Sequence, residues 1–295
     1  MKRREFLKDI AIGSLFLNIS TLLHPQEKGF PHIALIQGES PSDITREAIN
    51  TLGGMKKFIA RGDLVVVKPN IGWDRNPQQA ACTNPEVVKT VIELCFDAGA
   101  KQVKVLDNPC NPARRTYVRS GIAEAAKKAG ATVLFPNPHH LKKIAIKGEW
   151  LKEWEVYTDF IETDKIINVP IAKTHSLSRL TMGMKNWLGA IGGKRNQLHQ
   201  NIDFAMIDLS SFFNPVLTVL DAYRILLRNG PQGGRLSDAM LYKTIVAGTD
   251  YVAVDALGAT FFGIKPEELR YLQLAHQKGM GEIHLENLNI AKKTL

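Results

Sequence analysis

Four apolar runs in this sequence end on or carry side chains that can hold an anion or move a proton. VVVKPN ends in Lys68 and Asn70, VKVLDNP in Asp107 and Asn108, VPIAKTH in Lys173 and His175, and LTVLDAY carries Asp221. A lysine offers an ammonium to carboxylate or phosphate. A histidine titrates near neutrality and suits acid–base work or metal ligation, and a carboxylate can partner either. A lysine at the inner end of a buried run has to meet an anion, a carboxylate or a pocket, because an unpaired buried charge is costly. Each group also has a structural reading: Lys68 with Asp107 as a buried ion pair bracing two loops, Asp107 with Asn108 and Pro109 as a turn, Asp221 as a helix cap. His175, next but one to Lys173, is the leading candidate for proton transfer or metal ligation.

A second cluster follows at once. MGMKNWLGAIGGKRNQLH reads as a helix carrying Lys185 and Asn186, then a basic loop with Lys194, Arg195 and His199. Gly183 and Gly189 permit another backbone to come close, and the cations fit phosphate or carboxylate. No Walker sequence or GxGxxG is present, so a standard nucleotide-binding fold is unsupported. NGPQGG (229–234) reads as two consecutive turns in preference to a cradle of N–H groups for an anion. Asp250 reads as the cap of the last long helical segment, with Asp255 a weak site candidate.

Such groups meet only if their strands share a sheet. Short apolar runs alternate with helical patterns along the chain: HIALIQG before DITREAINTLGGMKKFI, DLVVVKPN before NPEVVKTVIELCFDAGA, and KQVKVLDNP before YVRSGIAEAAKKAG. DKIINVPIAKTH, PVLTVLDAY and TIVAGTD supply further strands, and Pro266 opens a late helix. Continuous apolar strands separated by helices indicate an α/β fold, a mostly parallel sheet covered on both faces. In open sheets of this kind ligands bind beyond the carboxyl ends of the strands. The stretch HHLKKIAIKGEWLKEW breaks the alternation and reads as a small β-hairpin insertion at 139–157.

The chain has 295 residues, 44% of them hydrophobic, enough for a sizeable core. Its net charge of +9 favours an anionic ligand or surface. No arginine-rich cluster or aromatic RNA-binding motif accompanies that charge, so nucleic acid is not an expected partner. At the N-terminus, KRREFLK and an uncharged run over residues 10–23 resemble a twin-arginine export signal. Residues 1–28 are therefore expected to be a signal or membrane anchor, with the Tat translocon as partner and a periplasmic or exported location. An amphipathic first helix is the alternative. Three dispersed cysteines, Cys82, Cys95 and Cys110, make neither a disulfide framework nor a ferredoxin-type iron–sulfur site. Cys82 and Cys110 can form a disulfide after export, ligate a metal or do neither, and neither is preferred.

VVVKPNIGW, CTNPEVVKTVIELCFDAGAKQVKVLDNP, IINVPIAKTHSLSRLTMGMKNWLGAIGG, LTVLDA, NGPQGG and TIVAGTDYVAVDALGATFFG, in that order, resemble the family known as domain of unknown function 362. The resemblance runs from about Leu64 to Gly263 and implies an α/β domain with a site of polar strand-end residues. Some members carry an added four-iron four-sulfur segment, which the three dispersed cysteines here cannot make. By fold-level analogy it is also similar to the nickel-pincer lactate racemase group, which places lysine and histidine around a cofactor. The expectation is a single α/β domain over 30–295 that binds an anionic small molecule or a phosphorylated cofactor. Lys68, Lys173, Lys185 and Arg195 would hold the anion, with His175 moving a proton; a divalent metal would draw on His175, Asp107 and Asp221. The expected chemistry is proton transfer, isomerisation or redox. The alternative is a periplasmic metal- or anion-binding accessory protein without turnover.

Overall fold

The computed structural model describes residues 31–295; the expected signal or anchor at 1–28 lies outside them. In chain order the strands are β1 (Ile33–Gln37), β2 (Leu64–Pro69), β3 (Gln102–Val105), β4 (Thr132–Val133), β5 (Leu141–Ala145), β6 (Glu153–Tyr157), β7 (Lys165–Val169), β8 (Ile171–His175), β9 (Arg179–Thr181), β10 (Leu217–Leu226), β11 (Ala239–Gly248) and β12 (Ile290–Thr294). The helices are α1 (Pro41–Thr51), α2 (Pro85–Asp97), α3 (Ala113–Arg119), α4 (Ile122–Lys128), α5 (Ile202–Phe213), α6 (Tyr251–Thr260) and α7 (Arg270–Gln277).

The main sheet runs β12-β1-β11-β10-β7-β2-β3-β4 and is mostly parallel, as the alternation of strands and helices implies. The antiparallel pairs are β1 with β11, β10 with β11, and β8 with β9. Alternation along β2 divides the interior in two: Val66 joins the core containing α5, α6 and α7, while Val65 and Val67 join the core containing α1, α2 and α4. Capping follows the sequence. Asn84 caps α2 with Pro85 at its first position, and Asp250 caps α6 through the Ala253 N–H.

The expected hairpin is present as β5 and β6, antiparallel and separate from the main sheet. Trp154 Nε1 donates to the Gly192 carbonyl at 3.0 Å, and the Asp208 carboxylate accepts the N–H groups of Glu149, Trp150 and Leu151. The hairpin therefore docks on the segment that follows β9.

Three elements differ from the sequence reading. YVRSGIAEAAKKAG is two helices, because Gly121 adopts a φ of 74° between them. The residues after β9 form a 3-10 segment, Lys185–Ala190, and not an α-helix. Asp221 lies inside the ten-residue β10 and not at its end, because the hairpin partner β11 extends the pairing to Leu226.

Candidate functional site

Lys68 is the last side chain but one of β2 and has no exposed surface. Its ammonium lies 2.7 Å from Asp107 Oδ1, and donates to Asn186 Oδ1 at 2.9 Å and the Pro69 carbonyl at 3.0 Å. The other Asp107 oxygen accepts the Ile71 N–H, while Tyr117 clamps the Asp107 backbone by donating to its carbonyl and accepting from its N–H. Burial lowers the Lys68 pKa, opposed by Asp107. The bracing pair envisaged from sequence is thus present. Gly189 makes room for it, since a Cβ there would sit 1.7 Å from Asp107 Oδ1 and 2.7 Å from Lys68 Nζ.

Asn186 connects the strand ends. Its carbonyl oxygen accepts from Lys68 and from Asn70 Nδ2, and its amide nitrogen donates to the Lys68 carbonyl and to Asn168 Oδ1. All four hydrogen-bonding sites of a buried amide are filled. The 3-10 segment carrying it is anchored upstream by Asp255, whose carboxylate accepts the Gly183 and Met184 N–H groups at 2.6 and 2.9 Å. Burial raises the Asp255 pKa to about 7.

Lys173 is almost fully buried and its ammonium meets neutral oxygens, Asn70 Oδ1 at 3.0 Å and the Ala81 carbonyl at 2.5 Å. Lys185, also buried, lies 3.4 Å from His199 Nε2. Among the described residues neither lysine pairs with a carboxylate. Burial lowers Lys173 to about 8, and burial together with the Lys173 charge lowers Lys185 to about 7.

The histidines have defined tautomers. His175 Nδ1 accepts the Leu177 and Ser178 N–H groups at 3.1 and 3.4 Å, which leaves the ring proton on Nε2. Burial and then the nearby Lys185 charge push its pKa down to about 3, so the ring is neutral at physiological pH. His199 Nδ1 donates to the Asn196 carbonyl at 3.2 Å, leaving Nε2 free to accept from Lys185. The two rings stack at 5.8 Å with 12° between their planes. Arg195 completes the wall, its guanidinium donating to the carbonyls of Asn108, Leu188 and Pro109.

These groups line one cavity of about 460 Å³. Its charged lining is Lys68, Lys173, Lys185 and Arg195 against the single carboxylate of Asp107. Asn70, Asn108, Asn186, His175 and His199 share it. Trp73, Leu177, Leu188 and Pro231 give it apolar walls that sequence reasoning did not assign. Trp73 lies just beyond the β2 end, a position the strand-end rule could have flagged. Pro231 arrives through the turn at Gly230, which packs so closely on β8 that a Cβ would sit 1.9 Å from the Thr174 carbonyl. NGPQGG is thus a turn that supplies one wall.

Two of the expected site residues, Asp221 and Lys194, lie outside this cavity, and the expected metal ligands do not converge. Asp221 faces a separate, smaller cavity of about 160 Å³, and its carboxylate caps the Asn84 and Tyr223 N–H groups. Lys194 is exposed and lines an adjoining recess with Cys110 and Asn196. A divalent metal held by His175, Asp107 and Asp221 does not fit. His175 Nδ1 and both aspartates are committed to internal partners, and among the described residues the donors that converge lie elsewhere. Anionic groups do fit, because Lys173, Lys185 and Arg195 face the cavity without a carboxylate of their own. All three cysteines are free thiols; Cys82 and Cys95 are buried and Cys110 is exposed.

The fold and this rim define an α/β protein with a cationic site at its strand ends. The pattern of the family described as "Domain of unknown function (DUF362)" matches residues 65–260, and the chain belongs to that family. A "thylakoid-associated protein" of Synechocystis is 24% identical over 244 residues, covering 80% of this chain and 74% of its own. Among solved structures, the lactate racemase apoprotein of Thermoanaerobacterium thermosaccharolyticum is similar in fold, with TM-score 0.50 and 12% identity. That alignment covers 79% of this chain and 57% of the racemase. A Thermotoga maritima protein aligns with TM-score 0.43 and 11% identity, over 75% of this chain and 59% of its own.

Proposed function

We propose that this protein is an enzyme that binds an anionic small molecule, a carboxylate or phosphorylated compound, in the strand-end cavity and moves a proton on it. One observation carries the reading: two buried lysines that lack carboxylate partners, Lys173 and Lys185, face the same cavity as Arg195. Burying a cation without a counter-ion costs several kcal/mol, about what an incoming anion would recover. Lys173 and Arg195, held rigidly by amide and carbonyl oxygens, position the anion.

The proton work falls on Lys185. With its pKa near neutrality it exchanges between ammonium and amine at working pH, and His199 Nε2 takes part of its hydrogen bonding. His175 keeps its Nε2 proton and serves as a neutral hydrogen-bond donor to developing negative charge, in place of the base expected from sequence. The fold shared with the lactate racemase apoprotein makes 2-hydroxy acids the first compounds to offer. A phosphorylated cofactor, if bound, would rest on the same cations and supply electron-accepting chemistry. Export in the folded state through the twin-arginine route belongs to this reading, supported by Arg3 and Arg4 ahead of the uncharged run at 10–23. Among the described residues no helix is long and apolar enough to cross a membrane.

The test uses protein isolated natively, with whatever it retains, incubated with 2-hydroxy acids in deuterated water. Mass spectrometry then reads both binding and deuterium at the carbon next to the carboxylate. Lys185→Arg keeps the charge but cannot deprotonate; it should retain binding and lose exchange, while Lys173→Met should lose binding. Exchange in Lys185→Arg at the wild-type rate refutes the assignment of the base. Binding without exchange in the wild type identifies a carrier.

A further inference from the structure

Far along the chain from these lysines, beyond the 65–260 span of the family match, His276, Glu282 and His284 each offer one ligand atom within 4.8 Å of the others. His276 is in the last turn of α7, and the chain returns on itself through Gly279 and Gly281 to bring Glu282 and His284 back. We propose that this triad is a binding site for a single divalent ion of the zinc type, holding the C-terminal turn of α7 to the loop that follows.

The donor set suits the ion. Two imidazoles and a carboxylate are borderline ligands that zinc takes in tetrahedral geometry, with water or another carboxylate in the fourth position. Bonds of about 2.1 Å require ligand-to-ligand edges of about 3.4 Å. The three ligand atoms lie within 4.8 Å of one another, and the remaining closure is within reach of side-chain rotation at these half-buried positions. The surroundings resemble an outer coordination shell. The His276 ring is oriented by the Gly281 carbonyl at 3.0 Å, and His284 Nδ1 lies 3.5 Å from the Glu267 carboxylate. Ring N–H groups directed at a carbonyl and a carboxylate are what orient metal-bound histidines and leave the opposite nitrogen bare.

Glu282 is itself held in place, accepting the N–H groups of Ile283 and His284 and the Asn287 side chain. The same loop is pinned at its start, where Asp250 accepts the Glu282 N–H at 2.9 Å while capping α6. The ligands are therefore pre-positioned by backbone contacts, which lowers the ordering cost of taking up an ion. The neighbour of Glu267 contributes a connection to the rim. Glu268 binds Arg179, and Arg179 is the register partner of His175 across β8 and β9.

Full-length protein, stripped with a chelator and dialysed, is titrated with Zn²⁺ against a chromophoric competitor. It is compared with His276→Ala/His284→Ala and, for the stacked histidine pair in the strand-end cavity, with His175→Gln/His199→Gln. One equivalent should bind to the wild type and to the His175/His199 variant, and none at that affinity to the His276/His284 variant. At about 100 times its dissociation constant, Zn²⁺ should raise the thermal midpoint of the wild type by about 5 °C. If the His276/His284 variant does not fold, Glu282→Gln is titrated instead, with affinity expected to fall at least tenfold. Absence of uptake by wild type, undiminished uptake by the His276/His284 or Glu282 variants, or an equivalent lost only with His175 and His199 overturns the proposal.

Discussion

Anion affinity should fall about a thousandfold between about pH 6 and about pH 9, because the two free lysines lose their protons in that interval. Their folded pKa values, about 7 for Lys185 and about 8 for Lys173, are depressed below the ordinary lysine value mainly by burial. An anion binds the protonated form and holds the proton on it. Affinity is therefore complete at about pH 6 and is lost as the pH rises through the free-state values. At about pH 9 Lys185 is about two units past its midpoint and Lys173 about one. The factors are about a hundred and about ten, and a tenfold change is about 1.4 kcal/mol. Sulfate is the suitable probe, since it does not titrate in this range, and calorimetry at fixed ionic strength removes the screening contribution. Lys185→Met should bind more weakly at about pH 6 and leave only the tenfold dependence of Lys173. Sulfate affinity that is flat or rising over the interval in the wild type refutes the picture of two lysines awaiting an anion.

Three further outcomes follow from the packing. Gly189→Ala places a methyl where the Asp107 carboxylate and Lys68 ammonium lie; separating a buried ion pair costs about 3–5 kcal/mol, read by denaturant unfolding. Asn186→Ala leaves the Lys68 ammonium, the Asn70 amide and Asn168 Oδ1 each short of a buried partner, and should cost at least about 2 kcal/mol in the same assay. Iodoacetamide on the folded protein should label Cys110 alone, because Cys82 and Cys95 are buried and burial raises both thiols, Cys82 to about 11. The adduct at the cavity edge should weaken sulfate binding, with peptide mass spectrometry reporting the labelled residue.

The rim was visible in the sequence wherever a strand ended abruptly. Lys68, Asp107, Lys173 and His175 stand out because an ionisable group directly after an apolar run must be reconciled with burial, and the structure brings all four to one cavity. Arg195 and His199 were identified on the basic loop, and Lys185 and Asn186 on an element of the wrong kind. The pattern around Lys185 suits a helix, yet Asp255 pins Gly183 and Met184 and the chain then winds as a tight 3-10 turn over the ion pair. That restraint comes from a residue 72 positions away, which local periodicity does not contain. Asp221 misled for a related reason. Its run of apolar neighbours looks finished at LDAY, but pairing with β11 carries the strand three residues further, to Leu226, and turns the carboxylate to the Asn84 loop. β12, with sequence IAKKT, has too little apolar alternation to signal a strand and is defined by its parallel partner β1.

The distribution of partners among the cations separates structure from function more clearly than their positions do. Lys68 is satisfied internally: a carboxylate at 2.7 Å, an amide and a carbonyl fill its coordination, so an added anion would have to compete with Asp107. Lys173 and Lys185 are just as buried but are held by groups that cannot neutralise them. A fold selected for stability alone would be expected to pair or replace such lysines, since apolar residues of similar volume are often neutral or stabilising in place of buried charge. Retaining them unpaired around one cavity is intelligible if the missing counter-charge arrives with the ligand. Neutral Asn70 serves the same end, orienting the Lys173 ammonium without neutralising it and leaving Asp107 as the single carboxylate in the cavity lining.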